Sequence, residues 1–300
     1  MGKVKSIVKY KVLIGKDDEI LAEFKNSLQE FDSAGNLVKE VQYDREGEID
    51  IANAYKYDDK NRLIEEIHYY EEETGERIRY SLDDRGRRTA VQTEYADGST
   101  SNKSFHRNGN LLTVESLDED GDLESKETIR TDEQGRVLEE ARYDEDGALV
   151  VKFVNGYDAK GQLVNRKEYV ENDELVKKIL LEYDHAGNAV QETHLNRRDE
   201  VIDNIKFTYD EKGNRTSWQN SVYHQQTVYD KEGRPVREER RNRRNNLVEE
   251  LTEYTYDEEG KISSEKSFSM GEEYELEPGA VTRTRSDFIV HRYAYEYFDE

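Results

Sequence analysis

The chain has 300 residues, of which 34% are hydrophobic and 38% are charged, and its formal net charge is −24. This composition excludes a conventional thick apolar core, so the chain must bury its apolar residues economically. The negative charge repels nucleic-acid backbones and anionic membrane surfaces. We therefore predict that neither is a partner of this protein. The absence of cysteine excludes disulfides, thiolate metal sites and cysteine nucleophiles.

Residues 1–30 form the first segment, and they lack the turn motif that fills most of the chain. Its apolar residues are interrupted by four lysines, Lys3, Lys5, Lys9 and Lys11. This segment therefore lacks the continuous apolar core that a secretion signal has. No later stretch reaches 18 uninterrupted apolar residues, and the sequence therefore predicts a cytoplasmic protein. We expect an N-terminal cap here, with a short helix or irregular structure over residues 22–30.

A short motif recurs across residues 31–262: an aromatic residue, Asp, two variable residues and Gly. Two alternating steps give a combined period of 26 residues, and such a fixed period indicates tandem supersecondary units. We interpret the motif as a structural turn. Its clearest copies include Tyr143, Asp144 and Gly147; Tyr157, Asp158 and Gly161; Tyr183, Asp184 and Gly187; and Tyr209, Asp210 and Gly213.

The segments between the turns have about eight residues with imperfect apolar alternation, which is typical of half-buried strands. Pro, which would interrupt a strand ladder, occurs only at positions 235 and 278. The sequence therefore predicts a single all-β domain over residues 1–300. Its form would be an antiparallel meander of tandem β-hairpin repeats in an elongated, curved or spiralled sheet, open or partly closed.

The turn residues have distinct expected roles. The Asp carboxylate can accept backbone N–H groups just ahead of it, and Gly adopts the positive φ that closes the turn. Asn and Asp also tolerate positive φ, so we expect it at Asn61, Asp173, Asp199 and Asn245. The motif tyrosines are expected to stack on equivalent tyrosines of nearby turns, with their hydroxyls in water. An alternative is that they form a binding rail for sugar or peptide.

Residues 214–228 interrupt the array as an irregular insert that contains the single Trp of the chain. Trp218 and Tyr223 are the candidate contacts for a partner or a glycan, because an irregular segment can present rings that a regular ladder covers. Residues 263–300 are predicted to be C-terminal cap strands that cover an unpaired edge.

The YDxxGxL pattern, as in YDAKGQL from Tyr157 and FDSAGNL from Phe31, resembles the YD repeat of the Rhs family of bacterial proteins. The copies span about residues 31–262. The resemblance implies ribbons of antiparallel strands that enclose or contact other proteins. It also implies a setting beside a secreted toxin, as an accessory or immunity-type protein. The chain is much shorter than a full Rhs shell.

The sequence contains no recognisable catalytic constellation, and it predicts no enzyme, no cofactor and no metal site. The loop DEDGDLE from Asp118 has Gly at the fourth position where an EF-hand requires the sixth, so an ordinary turn is predicted. The six histidines show no close metal-ligand spacing. A basic cluster that begins at Arg237 reverses the charge locally, and we expect it to be a solvated strand and turn.

These features predict a non-enzymatic scaffold whose acidic surface contacts another protein with a basic or polar surface. The alternative is a carbohydrate-binding β-repeat protein that uses exposed aromatic rings. The sequence makes no prediction about oligomeric state.

Overall fold

The computed structural model describes residues 2–14, 19–70, 73–277, 280–285 and 288–299. These residues are almost entirely β-strand, with one short 3-10 turn at Glu171–Asp173. The strands of the first part are β1 Val4–Ile14, β2 Ile20–Phe31, β3 Leu37–Tyr43, β4 Ile49–Tyr57, β5 Leu63–Tyr70, β6 Glu73–Leu82, β7 Arg88–Tyr95, β8 Thr100–Asn108, β9 Leu111–Leu117, β10 Leu123–Thr131, β11 Val137–Tyr143 and β12 Leu149–Tyr157.

The remaining strands continue the same succession of short extended segments. They are β13 Leu163–Val170, β14 Glu174–Tyr183, β15 Ala189–Asn196, β16 Val201–Tyr209, β17 Arg215–Gln219, β18 Tyr223–Tyr229, β19 Pro235–Asn242, β20 Val248–Tyr256, β21 Ile262–Glu277, β22 Ala280–Arg285 and β23 Ile289–Tyr297. The chain divides into two compact units: a first unit of Met1–Asp50 and Ile205–Glu300, and a second unit of Ile51–Asn204.

Within the second unit the strands form an antiparallel meander from β4 to β15, each paired with the next. Its buried apolar side chains are few, and among the described residues they are Ile67, Val114 and Ala141. In the first unit the buried apolar side chains among the residues that the structure describes are Val12, Val41 and Phe268. Such a thin core agrees with the low apolar content of the sequence.

The first unit shows that the sheet closes. β1 pairs antiparallel with β2 on one side and with β23 on the other. The all-β class is as predicted, but the predicted open or partly closed, elongated or spiralled sheet is wrong, since the strands form a closed antiparallel barrel. The physical reason is that closure gives the first and last strands hydrogen-bond partners that they would lack at free edges.

The turn motif owes its shape to its Asp. Asp184 accepts hydrogen bonds at Oδ1 from the backbone N–H groups of Ala186 and Asn188, both at 2.9 Å. Its Oδ2 accepts a hydrogen bond from Asn188 Nδ2 at 3.0 Å. These hydrogen bonds lower the pKa of Asp184, and the bond from the Asn188 backbone N–H has the largest effect. Gly187 closes the turn with φ of +92°. Asp144, Asp158 and Asp210 accept the equivalent backbone bonds.

Positive φ occurs at three of the four non-glycine positions predicted for it, Asn61, Asp173 and Asp199. The prediction for Asn245 is wrong, because Asn246 has φ of +59° instead. In this longer turn the backbone N–H of Asn246 bonds to the carbonyl of Asn242, which moves the left-handed residue one position along. The segment 22–30 is also not helical, since it lies in β2 and pairs with β1 and β3.

Candidate partner-binding surface

Trp218 and Tyr223 lie on neighbouring strands of the first unit. β17 and β18 form a short hairpin in which Trp218 is opposite Gln225. The Trp218 Nε1 group donates to Gln225 Oε1 at 3.0 Å, and both rings are half-buried. The Arg240 guanidinium lies 4.7 Å from the centre of the Tyr223 ring. Parts of both rings are therefore occupied by the protein's own side chains.

The motif tyrosines end their strands, and each sits at a register irregularity. Tyr143, Tyr157, Tyr183 and Tyr209 are the last residues of β11, β12, β14 and β16, and the register shifts immediately before each. The expectation of wet hydroxyls is wrong for Tyr157 and Tyr183. Their hydroxyls donate to the backbone carbonyls of Val137 and Leu163, at 2.8 and 2.7 Å.

Cations lie over the rings of several motif tyrosines, where ring-on-ring stacking was expected; Tyr256, in the copy YDEEG, is another such tyrosine. The Arg136 guanidinium lies 5.0 Å from the centre of the Tyr157 ring, and Arg234 lies 4.4 Å from that of Tyr256. Each arginine also donates through Nε to the Asp of its own turn, Arg136 to Asp132 at 2.6 Å. An arginine at this position therefore connects its turn to the tyrosine of a later one.

Three arginines of the basic cluster that begins at Arg237 form ion pairs with nearby glutamates. Arg237 pairs with Glu239 at 2.8 Å and with Glu253 at 3.0 Å. Arg241 pairs with Glu239, and Arg240 pairs with Glu250. These ion pairs occupy the guanidinium groups of Arg237, Arg240 and Arg241.

A concentration of acidic side chains lies at one edge of the second unit. In an antiparallel meander alternate turns share an edge, so the turns after β9, β11 and β13 lie together. We call residues 118–122, 144–148 and 171–174 the acidic edge. Its acidic residues are Asp118, Glu119, Asp120, Asp122, Asp144, Glu145, Asp146, Glu171, Asp173 and Glu174.

Some carboxylates of the acidic edge already have partners within the protein, and others do not. Asp118 Oδ1 accepts the backbone N–H groups of its own turn, as does Asp144 Oδ1. Asp173 pairs with Lys152, and Glu174 pairs with Arg197. In the described part of the chain the remaining carboxylates have no hydrogen bond or ion pair, and those of Glu119, Asp120, Glu145, Asp146 and Glu171 are exposed.

The opposite edge of the same unit is more balanced. It contains the turns after β4, β6, β10 and β12, and basic side chains accompany the acids there. Arg62 pairs with Asp58, Arg87 with Asp83, and Arg136 with Asp132. The excess negative charge of this unit is therefore concentrated at the acidic edge.

No group of three or more His, Asp or Glu side chains within the described ranges has the geometry of a metal site. The Asp118 loop is a turn whose first carboxylate is used by the backbone N–H groups of Asp120 and Asp122.

Sequence reasoning missed a tyrosine–carboxylate pairing that recurs in both units. Tyr80 donates to Glu66 at 2.6 Å, and Tyr254 donates to Glu238 at 3.2 Å. The pKa of each phenol is raised to about 12, mainly by burial and secondly by the neighbouring carboxylate. The partners are 14 and 16 residues apart, and because the two spacings differ, the sequence carried no repeated signal for them.

Some solved structures of low identity are similar to this chain. One is the Tc holotoxin pore of Photorhabdus luminescens, with 15% identity and a TM-score of 0.39 over 86% of this chain and 18% of that chain. Another is the TcdB2-TccC3-TEV structure, with 13% identity and a TM-score of 0.41 over 86% and 18%. The chain thus spans about 18% of the toxin chains that it matches.

A porin-like protein from Bacteroides uniformis is also similar, with 11% identity and a TM-score of 0.34 over 98% of both chains. The prediction of a cytoplasmic location is wrong, because it considered only long apolar runs.

No helix in the ranges that the structure describes is long and apolar enough to cross a membrane. No protein-family model and no curated protein matches this chain.

Proposed function

We propose that this protein is a non-catalytic β-repeat scaffold that binds a partner protein with a basic surface. The observation that carries the proposal is the acidic edge, where exposed carboxylates without partners are concentrated on neighbouring turns. An accessory or immunity-type role beside a toxin is the setting that the YD-repeat resemblance implies.

Charge and rigidity both support this role. Exposed carboxylates of one sign attract a basic surface over a long range and accelerate its association. The turns that carry them are fixed by their own Asp–backbone hydrogen bonds, as at Asp118 and Asp144. A partner therefore meets a surface whose charges are already in position, which lowers the entropic cost of binding.

The test compares two variants that remove the same number of charges. The edge variant carries Glu119→Gln, Glu145→Gln and Asp146→Asn, all at exposed positions of the acidic edge. The control variant carries Asp59→Asn, Asp84→Asn and Glu133→Gln, all exposed at the opposite edge. Each protein is immobilised and exposed to a lysate of the native organism at about 50 and 200 mM salt, where screening differs strongly.

We expect a protein captured by the native chain at low salt to be released at high salt. The edge variant should capture it at least about tenfold less, while the control variant should capture it as the native chain does. Equal capture by the edge and control variants, or capture that is insensitive to salt, would refute the proposal.

The carbohydrate alternative receives no support from a specific contact. Trp218 already donates to Gln225, and the Tyr223 ring is partly covered by Arg240.

A further inference from the structure

One face of strands β6–β10 in the second unit lines a cavity of about 420 Å³. Cross-strand partners point to the same face of a sheet, and the registers bring Tyr80 opposite Val91 and Phe105 opposite Val114. The apolar side chains that line the cavity are Ile78, Val91, Phe105, Leu112, Val114 and Ile129. In a chain that is only 34% hydrophobic, this is an unusual concentration of apolar surface.

Two cations border this apolar floor. Lys103 is exposed, and its Nζ has no hydrogen bond or ion pair with any residue that the structure describes. The Arg88 guanidinium lies 4.2 Å from the centre of the Tyr80 ring. The Tyr80 hydroxyl is held by Glu66, so the ring that supports Arg88 is fixed in place.

The single acid of the lining lies on a different strand from Lys103. Glu127 is on β10 and pairs in register with Val114 of β9, whereas Lys103 is on β8. Repulsion from Glu127 would therefore turn an anionic group toward the side of the cavity where Lys103 lies.

We propose that this cavity binds a small amphipathic carboxylate, with its apolar body on the floor and its carboxylate at Lys103 and Arg88. The volume lies within the range of about 300–1,000 Å³ that is usual for small-molecule sites. Hydrogen bonds between a carboxylate and a cation are about twice as strong as neutral ones, and they supply the orientation. Such a site is independent of the acidic edge, which consists of turns.

Three probes of the same shape test the proposal: 4-phenylbutanoate, 4-phenylbutan-1-ol and 4-phenylbutylammonium. The overall charge of −24 favours the cation everywhere on the protein, so a preference for the anion can come only from local cations. By calorimetry or NMR titration of the full chain, we expect the carboxylate to bind at least about tenfold more tightly than the alcohol. The ammonium probe should bind most weakly.

Lys103→Gln and the control Lys160→Gln remove the same charge at exposed positions of the same unit. Lys103→Gln should weaken the carboxylate about tenfold and leave the alcohol unchanged, while Lys160→Gln should change neither. The proposal is overturned if no probe binds, if the ammonium binds as well as the carboxylate, or if Lys103→Gln leaves the carboxylate affinity unchanged. Circular dichroism of each variant verifies that the sheet is intact.

Discussion

The hydroxyl of Tyr183 donates a hydrogen bond of 2.7 Å to the backbone carbonyl of Leu163. Tyr183 ends β14 and Leu163 begins β13, so the bond joins two turns on the same edge of the meander. The same bond recurs one 26-residue period earlier, between Tyr157 and Val137. The motif tyrosine thus connects each repeat to the one before it.

Removing this hydroxyl should weaken the connection. We expect Tyr183→Phe to lower the free energy of unfolding by about 1 kcal/mol, because a carbonyl loses its donor. Tyr157→Phe should cost less, about 0.5 kcal/mol, since Asn155 Nδ2 also donates to the Val137 carbonyl. Urea unfolding measures both changes.

Tyr143 provides a matched control. It occupies the same motif position at the other edge, and its hydroxyl has no hydrogen bond among the described residues. Tyr143→Phe should therefore change stability by less than about 0.5 kcal/mol. An equal loss in Tyr143→Phe and Tyr183→Phe would show that the hydroxyl bond does not stabilise the repeat.

The turn glycines should be replaceable by Asn more easily than by Ala. Gly135 has φ of +80°, and a Cβ added there would meet no atom within 4 Å. The cost of Gly135→Ala therefore comes from the backbone alone, about 1 kcal/mol. Gly135→Asn should cost less, since Asn61 has the same conformation at an equivalent turn. Thermal unfolding compares the two, and an equal loss in both would contradict this explanation.

The local parts of the fold were predictable because their causes are local. Asp184 and Gly187 fix a turn through bonds to their immediate neighbours, and such bonds follow from a five-residue motif. Closure was not predictable, because the pairing of Val8 with Ala294 joins the two ends of the chain and no short motif encodes it. The cavity also depends on long-range register, which places Lys103 beside residues of other strands.

The ion pair between Asp58 and Arg62 should make stability depend on acid pH. Hydrogen bonds from Arg62 lower the pKa of Asp58 from 3.8 to about 2. The bond from the Arg62 side chain has the largest effect, followed by the bond from its backbone N–H. The folded state therefore favours the charged carboxylate. Its contribution to stability is complete above the unfolded-state pKa and is lost as the pH falls through about 2.

Asp58→Asn isolates this contribution from that of the other turn acids. Between pH 5 and pH 2 the thermal midpoint of the native protein should fall further than that of Asp58→Asn, because the variant has no proton to take up at this position. A carbon-13 NMR titration of the Asp58 carboxyl should show its midpoint near pH 2. Parallel pH profiles for the two proteins would contradict the assignment.

Glu239 should be the most stabilising acid of the basic cluster. It is 9% exposed, and Arg237 and Arg241 both donate to it. Burial alone would raise the pKa of Glu239, but these two hydrogen bonds outweigh burial and lower it. Glu239→Ala leaves two arginines without this partner, and we expect a loss of about 2 kcal/mol in the free energy of unfolding.

Glu253 provides the control for Glu239, because it also pairs with Arg237 but its side chain is 43% exposed. Solvent screens that pair, so Glu253→Ala should cost less than about 0.5 kcal/mol. Urea unfolding at about 0.05 and 0.5 M salt separates the two positions further, because salt screens exposed pairs more than buried ones. The loss in Glu239→Ala should persist at high salt. If that loss disappears at high salt, or equals the loss in Glu253→Ala, then Glu239 is only one exposed partner among several.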